Sequence, residues 1–338
     1  MSDLHPEKVT LHPAIACLLT SLRLGDPQIH KGIGLWPVFA EIRPEPAYIT
    51  LVEALSLEGF KITEVSQGGS VPSLRVINET AQHVLLFDGE ELKGAKQNRI
   101  LNTTILIAAQ SALDVPVSCT ESGRWSYDSN EFSSSGSLAH AELRKCKAEA
   151  VASSLHASEG HSSDQGAVWK EIEHLHEAAQ SSESSKTRAM KDAYDGRRRE
   201  IEEFSRDVAC YDGQSGLLAV VGDRVEGFDV LSLPEAYAKL HQRLVESHAM
   251  DFLVRKHGVA RKRLDPEAPA RFLAEAAMAA ESVHDTPGLG ADHRVRFRWG
   301  HGAALRDGDT VIHLALFGGS GLGQVHHPSE PPLHRHHH

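Results

Sequence analysis

Cysteine is scarce in this chain. The four residues, Cys17, Cys119, Cys146 and Cys210, lie far apart, and no two share a CxxC or Cys/His zinc spacing. That argues against a disulfide framework and a structural zinc site, and it suits a reducing, cytoplasmic setting. Long apolar runs are also missing. "AIACLLT" (14–20) is too short to span a bilayer and has no basic stretch or small-residue cleavage site around it, so neither a signal peptide nor a membrane span is expected. There is no basic excess: 35 Lys and Arg stand against 46 Asp and Glu, a formal charge of −11. Nucleic acid and anionic membrane select basic faces that release counterions, so neither is expected as a partner. The sequence contains no GxGxxG, no Walker loop and no HExxH, and nothing in it reads as a tandem repeat.

What remains is the pattern of a folded protein, with 338 residues and 41% hydrophobic content to build a core. From Trp36 to Cys119, runs such as "WPVFAEI", "FKITEVS", "SLRVIN", "HVLLFDGEEL", "ILNTTILIAA" and "VPVSC" are rich in β-branched residues and bounded by Gly, Pro, Asn or Asp. They read as strands of an antiparallel sheet or barrel-like core. One helix, 50–59, interrupts them, with Thr50 as N-cap and Gly59 as stop. Past Trp125 the periodicity turns helical, over 137–155, 167–179 and 187–208. A hairpin is expected over 216–231 and a long helix over 232–254, where Ser232 and Glu235 have capping-box spacing. A further helix (269–283) and the strands 293–299 and 310–317 follow. Because strands recur at both ends, the last should return to the first sheet. The expected architecture is one α+β domain over 31–318, strand-rich in 31–125, helical in 137–208 and mixed in 216–318. Residues 1–30 read as an N-terminal extension and 319–338 as a disordered tail, whose His334–His338 cluster reads as a tag or a solvated segment.

Between the apolar runs "VLLF" and "ILNTTILI" lies "DGEELKGAKQNR" (88–99), three acids and three bases in twelve positions. Asp88-Gly89 is the strongest hairpin signal present. Alternation then places Glu90 and Leu92 on one face of the next strand, with Glu91 and Lys93 on the other. The simplest account is a solvated ribbon of cross-strand ion pairs worth about 0–1 kcal/mol each. Gly68-Gly69, Asn102-Thr103-Thr104 and "VPVSCTESGRW" (115–125) add polar and glycine positions at strand ends, which favours a cavity mouth instead.

The segments "EVSQGGSVPSLRVIN", "LLFDGEELKGAKQNRILNTTILI" and "VPVSCTESGRWSY", followed by "AVWKEI", "GLLAVVGDRVEGFDVL" and "VIHLALFG", resemble the domain family named for association with ADP-ribosylglycohydrolases and rhodanese-phosphatases. The resemblance runs from Gly32 to Gly318. It implies an α+β domain in the setting of NAD and ADP-ribose metabolism and carries no assigned reaction. A ligand of that class needs cations or backbone N–H groups for phosphates, carboxylates or amides for ribose, and a flat partner for its base. Lys93, Lys96, Arg99 and Arg124 supply the first, with Gly68 and Gly69 admitting close phosphate approach. Glu90, Glu91, Gln97, Asn98 and Glu121 supply the second and Trp125 the third, with Asn102 a further ligand-binding candidate.

Turnover would need an acid and a base, for which Glu90 and Glu121 are the candidates. Adjacent Glu90 and Glu91 face opposite ways and cannot share one bond. Asp88, Glu90 and Glu121 offer oxygen ligands for a Mg²⁺ ion, a set that leaves little sequence signature. Cys119 lies one position short of the CxxxxxR phosphatase spacing to Arg124, so a buried structural cysteine is the better reading. The sequence thus supports a nucleotide-related ligand-binding domain, with or without catalysis. The alternative is a non-catalytic module or scaffold that recognises a modified macromolecule or a partner protein. Ligand identity and oligomeric state are not encoded in any motif.

Overall fold

The computed structural model describes residues 9–41, 45–65, 72–94, 97–121, 131–179, 189–254 and 263–319. The first part is mostly extended. It runs β1 (Val9–Thr10), α1 (Pro13–Ser21), β2 (Arg23–Leu24), β3 (Gln28–His30), β4 (Ile33–Phe39), β5 (Tyr48–Thr50), α2 (Leu51–Ala54), β6 (Phe60–Glu64), β7 (Ser73–Asn78), β8 (His83–Leu86), β9 (Glu90–Lys93), β10 (Arg99–Leu101), β11 (Ile105–Ile107), β12 (Ser111–Cys119) and β13 (Ser133–Leu138). Then come α3 (Ala141–His156), α4 (Gln165–Ala179), α5 (Met190–Gly196) and α6 (Arg198–Arg206). The chain ends with β14 (Gly216–Val221), β15 (Arg224–Leu231), α7 (Pro234–Val254), α8 (Ala268–Ala276), β16 (Ala280–Asp285), β17 (Ala291–Phe297), β18 (Gly300–Asp307) and β19 (Thr310–Gly318). Among the described residues no helix is long and apolar enough to cross a membrane.

A ten-stranded sheet in the order β1-β16-β17-β18-β19-β15-β14-β4-β2, with β3 also paired to β4, forms the backbone of the fold. Its central strands are apolar on both faces, as a sheet covered on both sides requires. In β14, Leu217, Ala219 and Val221 enter the core shared with α4–α7. Leu218 and Val220 enter the core shared with α1 and α8. The C-terminal strands thus return to the sheet of the early strand β4, and the architecture is α+β. A six-stranded sheet, β13-β9-β10-β12-β7-β6, and a three-stranded one, β11-β8-β5, complete the fold. The small sheet joins two cores: Leu85, Phe87 and Leu106 face the helices, while Val84, Leu86, Ile105 and Ile107 face the six-stranded sheet.

Several expectations need correction. Asp88-Gly89 turns the chain but closes no hairpin. β8 pairs with β11 and β5, whereas β9 pairs with β10 and β13. The turn hands the chain from one sheet to another, because β8 needs apolar layers on both faces and β9 needs polar partners for its carboxylates. The helix expected over 269–283 stops at Ala276, where pairing of 280–285 with β17 and β1 overrides the helix propensity of its alanines. "GHGAALRD" is a strand despite its glycines. A Cβ on Gly302 would fall 2.0 Å from the Ala315 carbonyl, so glycine is what lets β18 approach β19. The helix over 50–59 is only α2, and 187–208 contains two helices, α5 and α6. Residues 9–30, read as an extension, contribute α1 and three strands to the large sheet.

Candidate functional site

Gly89 adopts a φ of +81°. A Cβ there would stand 3.0 Å from Arg144 Cγ and 3.2 Å from Ala139 Cβ, so glycine lets α3 press Arg144 against the turn. The fully buried Arg144 donates from Nε to Asp88 (3.2 Å) and from both terminal nitrogens to Asp229 (2.9 and 2.6 Å). Lys147, on the same face of α3, bonds Asp88 and the Leu101 carbonyl, the latter at 2.7 Å. His313 bridges Asp229 (3.1 Å) and the Thr104 hydroxyl (2.8 Å), and the Asp88 N–H donates to that hydroxyl (3.0 Å). Phe87 and Phe317 flank the guanidinium at 5.0 and 5.3 Å. Two carboxylates meet two cations. Burial opposes the charge on Asp229, but Arg144 outweighs it and holds the carboxyl well below its ordinary range. Burial likewise opposes the Arg144 charge, and Asp229 and Asp88 override it. For Lys147 burial prevails and lowers the ammonium. The network is balanced and satisfied, as an interior ion cluster must be.

Glu90 is also engaged. One oxygen accepts from Arg243 (2.6 Å) and the other from the Phe87 N–H (2.9 Å).

Glu91 differs. It lies opposite Ile100 in the β9–β10 ladder, and its Oε1 accepts from Thr120 (2.8 Å) while its Oε2 makes no hydrogen bond. Burial pushes the carboxyl up to about 7; the Ser135 and Thr120 hydroxyls pull it back, and the Glu121 charge pushes it further up. Glu121 accepts from the Asn98 N–H (3.3 Å) on its side chain and from Gln97 (3.1 Å) on its backbone carbonyl. Arg99 bonds Gln97 Oε1 (3.2 Å) and lies 3.9 Å from Glu64. Arg99 Nε and both Glu64 oxygens make no hydrogen bond. Gln165 of α4 clamps the Cys119 backbone from the other side (2.8 and 2.9 Å). Burial raises the Cys119 thiol and Arg99 pulls it back.

A third polar spot lies where β17–β19 meet the segment after β10. A cavity of about 20 Å³ is lined there by Asp88, Asn102, Thr103, Thr104, Asp292, Arg294 and His313 among others, room for one water. Asp292 Oδ1 and Arg294 Nε, both buried, have no hydrogen-bond partner.

Of the residues singled out in the sequence, Glu91, Gln97, Asn98, Arg99 and Glu121 are brought together at the ends of β9, β10 and β12. Asn102 belongs to the cavity side, bonding the His161 carbonyl (3.1 Å) and Ser118 (2.7 Å). Lys93 is exposed at the end of β9, and Glu90 serves Arg243. Gly68, Gly69, Lys96, Arg124 and Trp125 lie outside the described residues, as does the tail from Ser320. The oxygen set expected for Mg²⁺ is not assembled: Asp88, Glu90 and Glu121 serve different partners. Among the described residues no three His, Cys, Asp or Glu side chains are grouped to hold a metal ion.

Sequence reading missed Glu64, Thr120, Arg144, Lys147, Asp229, Asp292, Arg294 and His313. A signal was available for two of them. Asp229 in "GFDVL" and His313 in "VIHLALF" are lone polar residues inside apolar strands, and such residues are buried only with partners.

No curated protein and no solved structure matches the chain. One family model, the ARG and Rhodanese-Phosphatase-superfamily-associated Protein domain, matches residues 21–317; the chain belongs to that family.

Proposed function

We propose that the Glu91 centre is an acid–base site acting on an anionic, nucleotide-derived ligand of the ADP-ribose class. The observation that carries this reading is the Glu91 carboxyl itself. It is wholly buried, has one oxygen free of partners and is held near pH 7, where a carboxyl both gives and takes a proton efficiently. Burial sets that poise, and the Glu121 charge adds to it. Arg99, with Nε unengaged, supplies the positive charge that a phosphate requires, and Gln97 and Asn98 stand beside it as amide partners. The ligand class rests on this chemistry together with the family's association with ADP-ribosylglycohydrolases.

Thermal-shift and calorimetric titration with ADP-ribose, NAD and phosphorylated nucleotides should find a ligand. At 100 times its dissociation constant it stabilises the fold by about 2.7 kcal/mol. Arg99→Gln should then weaken binding about tenfold or more. Glu91→Gln should lower turnover about 10²–10⁴-fold while leaving affinity nearly intact. Binding with unchanged turnover in Glu91→Gln would remove the acid–base role. Binding with no turnover in either protein would make the domain a recognition module.

A further inference from the structure

A second polar feature lies away from the Glu91 centre. α3 ends in a tight turn, with Ser158 at φ +61° and Gly160 at +73°, that brings His161 against β17. The Asn102 side chain fixes the turn through the His161 carbonyl at 3.1 Å. His161 Nε2 lies 2.8 Å from Asp292 Oδ2, which Arg294 also engages. A carboxylate only accepts, so Nε2 carries the proton and Nδ1 keeps a lone pair in the neutral ring. Among the described residues no other group bonds that ring.

The ring lines an open groove of about 490 Å³, together with Leu155, Ser158, Val283, His284 and Asp285 among others. That volume suits a small-molecule ligand. The hydrogen bond between His161 and Asp292 separates this groove from the inner cavity, whose wall carries the unpartnered Asp292 Oδ1 and Arg294 Nε.

Among the described residues the wall contains no lysine or arginine. Arg294 lies behind Asp292, and Asp285 would repel an anion, so the described wall offers a phosphate no Lys or Arg to neutralise it. The groove offers acceptors and a short apolar floor from Leu155, Val283 and Ala291. That combination fits a molecule rich in hydroxyl donors with a C–H face.

We propose that this groove is a second ligand site, for a neutral polyhydroxyl molecule of monosaccharide or nucleoside size, in which His161 Nδ1 accepts a hydrogen bond from one ligand hydroxyl and Asp285 from another. The site is independent of the chemistry assigned to Glu91.

The test uses the full chain labelled with ¹⁵N at histidine and titrated with D-ribose, adenosine and inorganic phosphate. Saturable movement of the His161 ring resonances is expected with ribose or adenosine and none with phosphate. His161→Phe should weaken binding about tenfold. Because that variant also removes the anchor to Asp292, the exposed Asp285→Ala provides the independent check, with an expected loss of about fivefold. Three results would overturn the proposal: no movement with either neutral probe, a stronger response to phosphate, or unchanged affinity in Asp285→Ala.

Discussion

Two buried charge clusters lie on either side of β9 and follow opposite rules. Around Arg144, two carboxylates meet two cations, a histidine and a threonine complete the hydrogen bonds, and two aromatic rings close the shell. Around Glu91, the Glu121 and Lys191 charges act in opposite senses on one wholly buried carboxyl, and polar atoms of Glu64, Glu91 and Arg99 make no hydrogen bond. A balanced cluster holds its neighbours in place. One that leaves buried polar atoms without hydrogen bonds is maintained against its own desolvation penalty, the usual mark of a site kept for chemistry rather than stability.

The most severe way to break the comparison is to unbalance the first cluster. Arg144→Ala leaves Asp229 and part of Asp88 as uncompensated buried charges, and should destabilise the fold by about 3–5 kcal/mol in urea unfolding. A loss below about 1 kcal/mol would mean that water or a rearranged Lys147 satisfies both acids, and the contrast between the clusters would fail.

The pH dependence of stability sharpens the contrast, because the clusters have opposite signs. Asp229 is held below its ordinary value, so its contribution is present above that value and lost as pH falls through the depressed one. Glu91 is raised from 4.5 to about 7. The unfolded chain therefore releases this proton first, and the folded state loses stability between pH 4.5 and about 7, with no further change above. At about 1.4 kcal/mol for each pH unit, that loss is about 3 kcal/mol. Glu91→Gln should remove it, leaving stability unchanged near pH 4 and raising it by about that amount above pH 7. An Arg144 variant should not show this pattern. If both variants gave parallel pH profiles, Glu91 would belong to the structural network.

A smaller effect tests what holds the two clusters apart. Gly89 sits between them at φ +81°. Gly89→Ala forces a Cβ into a left-handed backbone and against Arg144 and Ala139, and should destabilise by about 1–2 kcal/mol. Its melting temperature should fall without the change in pH profile expected of Glu91→Gln.

The sequence disclosed these regions unequally. Strand content, the long α7 and the return of the C-terminal strands follow from hydrophobic periodicity, which is local and strong. "DGEELKGAKQNR" and the polar end of β12 also announced themselves, because charges crowded between apolar strands are improbable without a task. Pairing was not legible. Asp88-Gly89 has the composition of a hairpin turn, yet its strands join different sheets, and that choice depends on partners at Ile105 and Ser133 far along the chain. The same holds for Arg144 and Lys147. They have the spacing of an ordinary amphipathic helix, and only the arrival of Asp229 and Asp88, from distant strands, makes them interior cations. Glu91 and Glu90 are neighbours of identical chemistry, and nothing local says that one meets hydroxyls and the other meets Arg243.

The smallest effect supplies the reference for all the others. Arg75 and Asp114 face each other across the β7–β12 ladder at 3.0 Å, with 42% and 43% of their side chains exposed. This is the charged-ribbon arrangement that sequence spacing alone suggested for 88–99. Water solvates both groups in the folded and unfolded states, so the Coulomb gain is screened and the ordering of two side chains offsets much of it. Arg75→Ala should change stability by about 0.5 kcal/mol or less, and the difference should shrink further in high salt. Guanidinium chloride would mask that trend, so urea with added sodium chloride is the appropriate measurement. A loss of about 2 kcal/mol that persisted in salt would show that position on this ladder, rather than burial and balance, determines what a charge contributes. The distinction between the Arg144 and Glu91 clusters would then need a different cause.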